Sequence, residues 1–251
     1  MNYALIALGI TLIFAIMGVL NFAHGQMYVL GGFVTYYVYG VFGLNYFVAL
    51  AASAVTVACV GLVFERFLFR RVLRITTREE STMLLAAGTA LLLDSLGLAL
   101  FGEKQRGVAP VVAGVYEIFG AFVPASRALI FVLAGGLVGA LLLFIQYTRP
   151  GRALRAIAQD KETAALQGVD IKRYSALGFA LGAALAGLAG GLLVTVFAVN
   201  AGAGTPISIK AFIMIMIGGA GVVSGPSWAP SCSASARRLA TSSSRARRPT
   251  S

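Results

Sequence analysis

The segment from Asn21 to Gln26, NFAHGQ, places two amides, an imidazole and a glycine in a stretch with no Asp, Glu, Lys or Arg before Glu65. His24 is the only histidine of the chain, and the one acid inside a long apolar run is Asp94. Such groups can hydrogen bond, move a proton or meet a cation. One imidazole is too few for a usual metal site. The sequence has no HExxH, GxSxG or Cys–His cluster, and no GxxxxGK[ST] phosphate loop. No metal, cofactor or catalytic set is therefore expected, and the chain should not hydrolyse ATP itself. His24 and Asp94 fall in different segments, and nothing in the sequence places them together.

The setting explains why these residues stand out. Of 251 residues, 59% are hydrophobic and 12% charged, and the mean hydropathy is +0.87. A soluble domain carries about 25% charged residues, so the composition predicts an integral membrane protein. The formal charge is +11. In a soluble chain that would suggest nucleic acid. Here the basic residues lie mostly in two loops and the tail, the pattern of positive-inside topology, and no nucleic acid is expected. Cys59 lies in an apolar run and Cys232 in the tail, so a disulfide is not expected. No basic region marks a signal peptide at Met1.

About seven helical segments are predicted, since about 20 apolar residues span a bilayer. They cover residues 3–20, 27–42, 45–64, 82–101, 128–147, 174–199 and 207–223, the first two being short. Arg66, Arg70, Arg71, Arg74 and Arg78 follow the third segment. Arg149, Arg152, Arg155, Lys161, Lys172 and Arg173 follow the fifth. Both loops are expected in the cytoplasm, with the N-terminus outside. Parity then puts the turn at Asn21–Gln26 towards the cytoplasmic side. The outer loop, 102–127, is expected to carry a short helix around 115–122.

Residues 150–168 read as one surface helix, with Pro150 in its first turn and Gly168 as its stop. Leu154, Ile157, Ala158, Lys161 and Ala165 form a weakly apolar stripe. Headgroup contact and docking of a cytoplasmic partner are both open on spacing alone. In the sixth segment Gly178, Gly182, Ala186 and Gly190 recur every fourth residue, beside a second row at Ala183, Gly187 and Gly191. Such rows let helices approach closely in a bilayer.

Asn21, Gly25 and Gln26 interrupt two short apolar segments. A break of this kind serves a transport pathway, where freed backbone groups meet a polar substrate, or is a plain surface turn with His24 solvated. We expect a motif at the inner end of a translocation route that shapes or gates it. An acid at the depth of Asp94 costs about 2.5–3.5 kcal/mol on insertion scales. It should serve the pathway, pair with another helix, or snorkel to the outer surface.

The motifs YALIALGITLIF, GVLNFAHGQMYVLGG, RPGRALRA and IKAFIMIMIGGAGVVSG, between about Tyr3 and Gly225, resemble the permease subunits of bacterial branched-chain amino acid ABC transporters. The resemblance implies an all-α polytopic bundle in the bacterial inner membrane. It implies a second permease subunit, cytoplasmic ATP-binding subunits, a periplasmic substrate-binding protein and membrane lipid as partners. It implies that the 150–168 helix couples to the ATPases through Glu162, Ala164 and Gly168, with Arg152 and Arg155 on the same element. Thr163 stands where alanine is usual in that pattern.

The expected function is the translocation pathway for branched-chain or related hydrophobic amino acids. Urea or short-chain amides are the alternative within the class, and a stand-alone carrier or channel the alternative outside it. A carrier would need intramembrane ionisable groups for ion coupling, and only Asp94 and Lys210 qualify. Residues 1–225 are read as the permease domain and 226–251 as a disordered tail. The tail has eight Ser, five Arg and three Pro and no acid. We expect it to come from a reading-frame error near Gly225, which would leave a final span missing. A native basic tail on anionic lipid is the alternative.

Overall fold

The computed structural model describes residues 2–18, 21–75, 79–109, 114–118 and 121–218. The tail at 226–251 and the end of the last predicted segment lie outside them. Ten α-helices are described: α1 Asn2–Met17, α2 His24–Thr35, α3 Tyr46–Phe64, α4 Arg70–Ile75, α5 Glu79–Phe101, α6 Ala125–Tyr147, α7 Arg149–Gln159, α8 Lys161–Leu166, α9 Ile171–Leu193 and α10 Gly204–Gly218. Helix α2 runs on as a π-helical stretch, Tyr36–Val41, and α3 as another, Glu65–Phe69.

Helix α9 is the centre of the bundle. Two-thirds (67%) of its spanning window is buried, against 11% for α5. Lipid gives helices no hydrophobic reason to associate, so close packing and interhelical hydrogen bonds must hold them. The small residues of α9 provide the packing. A Cβ on Gly182 would come within 2.7 Å of Ile13, and one on Gly187 within 2.8 Å of Val57. Gly178 lies against Ile16, and Gly190 against the Tyr28 carbonyl. Ala183 and Ala186 are fully buried. Hydrogen bonds add to this: Ser53 Oγ donates to the Gly187 carbonyl at 2.8 Å, and Tyr46 Oη to the Gly191 carbonyl at 3.3 Å.

Several expectations change. Four helices are long and apolar enough to cross a membrane: Tyr46–Val72, Ser81–Phe101, Ala125–Tyr147 and Ile171–Leu193. Leu5–Met17 is apolar but shorter, as expected of the first segment, and the count of about seven membrane segments is not confirmed among the described residues. The segment expected as a helix at 115–122 is an antiparallel pair, β1 Val115–Ile118 and β2 Ala121–Pro124, with Val115 opposite Pro124. Its β-branched and aromatic residues favour a pleated strand.

The helix expected at 150–168 is broken in two at Asp160, which has φ −158° and ψ 114°. Its Oδ1 accepts from the N–H groups of Glu162 (2.8 Å) and Thr163 (3.1 Å), and Oδ2 from the Thr163 hydroxyl (2.8 Å). An aspartate that caps a new helix competes with continuation of the old one. The Thr163 hydroxyl, then the two N–H groups, hold the Asp160 carboxyl below its ordinary pKa. Pro150 does lie in the first turn of α7, and Gly168, at φ +81°, follows α8 in the left-handed region.

Candidate functional site

α1 ends at Met17 and α2 begins at His24, so the break between them lies three residues earlier than the sequence suggests. Gly18, at φ +71°, ends α1 and donates to the Phe14 carbonyl at 2.7 Å. Asn21 Oδ1 accepts from the Ala23 N–H at 3.1 Å, and α2 begins at His24. His24, Gly25 and Gln26 are therefore the first turn of a helix, not the interruption. That turn lies deep. His24 packs beside Gly9 and near Gly182, and Gly182 is 11 residues into α9, or about 16 Å along it. A turn at the membrane surface with a solvated imidazole does not fit this, because Asn21 and His24 are both fully buried.

Helix α10 braces the break. Gly25 N–H donates to Ser208 Oγ at 3.0 Å, and that hydroxyl donates to the Phe22 carbonyl at 3.1 Å. One turn earlier, Gly204 leaves the room in which the Gln26 amide sits. The other side of that amide reaches α5: Gln26 Nε2 donates to Asp94 Oδ1 at 2.8 Å. The structure thus joins Gln26 to Asp94 and Gly25 to Ser208. It leaves His24 apart, between α1 and α9. The His24 ring nitrogens and Asn21 Nδ2 make no hydrogen bond among the described residues, although the Ile6 carbonyl neighbours the ring.

Sequence reasoning missed Gly204, Ser208 and Gly9. A glycine and a serine four residues apart on an apolar helix was the available signal for the first two, since i and i+4 share a face. Gly9 carried only a weak one, as one of two glycines in the first predicted span.

Towards the N-terminal end of α9, where Leu154 meets Gly178, the basic element is seated on the bundle. Leu154 and Ile157 of α7 and Ala164 of α8 are buried, and Lys161 Nζ donates to the Met17 carbonyl at 2.9 Å. Partial burial lowers the pKa of Lys161 below its ordinary value. Arg155 Nη2 donates to the Gln146 carbonyl at 3.3 Å. Arg152 and Glu162 are exposed, and Leu166, one turn after Glu162, is 88% exposed. Leu166 is a further residue that the sequence did not single out.

The family described as "Branched-chain amino acid transport system / permease component" matches residues 1–233. That match extends eight residues past Gly225, into the segment read as out of frame. The chain is 33% identical over 247 residues to the high-affinity branched-chain amino acid transport system permease protein LivH of Escherichia coli K12, covering 89% of this chain and 77% of that protein. It is 32% identical over 247 residues to LivH of Salmonella typhimurium, with the same coverage. To BraD of Pseudomonas aeruginosa, a permease protein of the same description, it is 32% identical over 238 residues, again at 89% and 77%. No solved structure matches the chain. A match over nearly the whole sequence, on a bundle with four membrane-length helices, settles the family: the chain belongs to the permease components of branched-chain amino acid transport systems.

Proposed function

We propose that the chain is an inner-membrane permease subunit of an ABC importer and forms part of the route for branched-chain amino acids. The observation that carries the reading is the seated α7–α8 element. Its apolar face is fixed to the bundle by Leu154, Ile157 and Ala164, and its free face presents Glu162 and Leu166. A carrier or channel that works alone has no need of such an outward face. Cytoplasmic ATPases dock there, a second permease completes the core, and a periplasmic binding protein delivers the substrate at the hairpin end.

The reading is tested by reconstituting the chain with those partners in proteoliposomes. Leucine, isoleucine and valine should accumulate only with ATP and binding protein. Accumulation without ATP, or uptake of urea in their place, would refute it.

The same reading fixes sidedness. Single cysteines at Arg74 and Gln159, in a chain lacking Cys59 and Cys232, should react with a membrane-impermeant maleimide from the cytoplasmic side alone. Reaction of either from outside would invert the topology.

A further inference from the structure

Between α2, α3 and α5 lies a partly open cleft of about 480 Å³, a volume that includes the open space at its mouth. Leu30 and Phe33 of α2 and Leu96, Gly97 and Leu100 of α5 line it, and Gln26 is the only polar side chain among its lining residues. The Gln26 amide is held by Asp94, which stands one turn before Gly97 on the same helix. Among the described residues, no Lys or Arg lies within ion-pair distance of Asp94, and its hydrogen-bond partner is a neutral amide. A Cβ on Gly97 would meet nothing closer than Ala201 at 3.9 Å, so the glycine leaves open space at the wall of the cleft.

An acid inside a spanning helix is costly unless something compensates it. Asp94 is not itself in the lining of the cleft; it stands behind Gln26, the polar residue that is, and a carboxylate held there by an amide lacks only a cation. The cleft beside it takes a branched hydrocarbon chain.

We propose that this cleft is a transit site for an aliphatic amino acid. The α-ammonium pairs with Asp94, the side chain lies along Leu30, Phe33, Leu96 and Leu100, and Gln26 positions the carboxylate of Asp94. The site rests on the importer reading above and deepens it. It also distinguishes substrates in chemical terms, because urea and short amides have neither the cation nor the chain. A lipid acyl chain is the competing occupant of any apolar cleft in a bilayer, and it needs no acid.

The test uses Gly97→Cys in a Cys59→Ser, Cys232→Ser background, in the purified permease–ATPase complex without binding protein. Leucine should slow alkylation of that cysteine by about tenfold, the scale of discrimination an apolar pocket gives. Urea should not. Neither should 4-methylpentanoate, which keeps the chain and the carboxylate but lacks the ammonium. Adding Asp94→Asn should abolish protection by leucine, and Asp94→Glu should retain part of it. Co-purified ATPase reports whether each variant assembles. If Asp94→Asn does not assemble, the comparison of leucine with 4-methylpentanoate decides alone.

Equal protection by leucine and 4-methylpentanoate would overturn the role of Asp94, and absence of protection by leucine would overturn the site. In the complete transporter, Gly97→Leu should lower leucine uptake by about tenfold by filling the cleft. Undiminished uptake would also overturn the proposal. A parent complex that accumulates no branched-chain amino acid would count against the importer reading instead, and the alkylation assay would still decide the cleft.

Discussion

Glu162→Lys, Leu166→Ala and Gly168→Leu should each strip ATPase subunits from the purified complex while the permease itself still inserts. The three act differently. Glu162 sits in the first turn of α8 and makes no ion pair among the described residues, so its charge is free for a partner. Reversing it turns attraction into repulsion. Leu166 is 88% exposed and touches little within the chain, so truncating it should affect a partner far more than the fold. Fully burying a leucine side chain against a partner is worth about 1.5–3 kcal/mol, which is at least about tenfold in retained partner. Gly168 acts through the backbone. Its N–H donates to the Ala165 carbonyl at 3.0 Å, and Val169 N–H to the Ala164 carbonyl at 3.1 Å, which turns the chain sharply after α8. At φ +81° a leucine is disfavoured by about 1–2 kcal/mol, and the strain falls on α8 itself. The measurement is the ATPase-to-permease ratio after affinity purification. An unchanged ratio in all three variants would remove this face from the docking surface.

Much of the fold was readable because apolar run length fixes where a helix can span. The ends were less readable. The polar residues His24, Gly25 and Gln26 look like a loop, yet they form a buried helical turn. Their partners are Ser208 and Gly204 on α10 and Asp94 on α5, far away in sequence. No local pattern reports a contact of that separation. The depth of the break was hidden for the same reason: it follows from Gly9 and Gly182 letting α1 and α9 meet beside His24. Two misread elements did carry a local signal. Asp160 with Thr163 three residues on is a capping pattern, and the alternation VYEI…AFVP has the β-branched and aromatic content of strands.

Gly190→Val should give the largest loss of folded protein of any single change on α9. The Cβ of any residue there would fall on the Tyr28 carbonyl, within 2.8 Å of the Gly32 nitrogen and 3.0 Å of the Tyr28 carbonyl carbon. These are backbone atoms of α2, so no side chain can turn aside, and the helices must separate. Overpacking a core costs about 1–3 kcal/mol when side chains can adjust, and a clash with backbone lies at or above the top of that range. The damage would spread, because α2 carries Gln26 to Asp94 and Gly25 to Ser208. The matched control is Gly135→Val on α6, where an added Cβ would meet nothing within 4 Å. Both changes put the same β-branched residue into a spanning helix, so propensity and insertion cost cancel in the comparison. Size-exclusion profiles and thermal aggregation of the detergent-purified chains are the readout. Gly190→Val should aggregate well below the temperature of the parent, and Gly135→Val should track it. If the two variants aggregate together, close backbone approach at α2–α9 is not what holds the bundle.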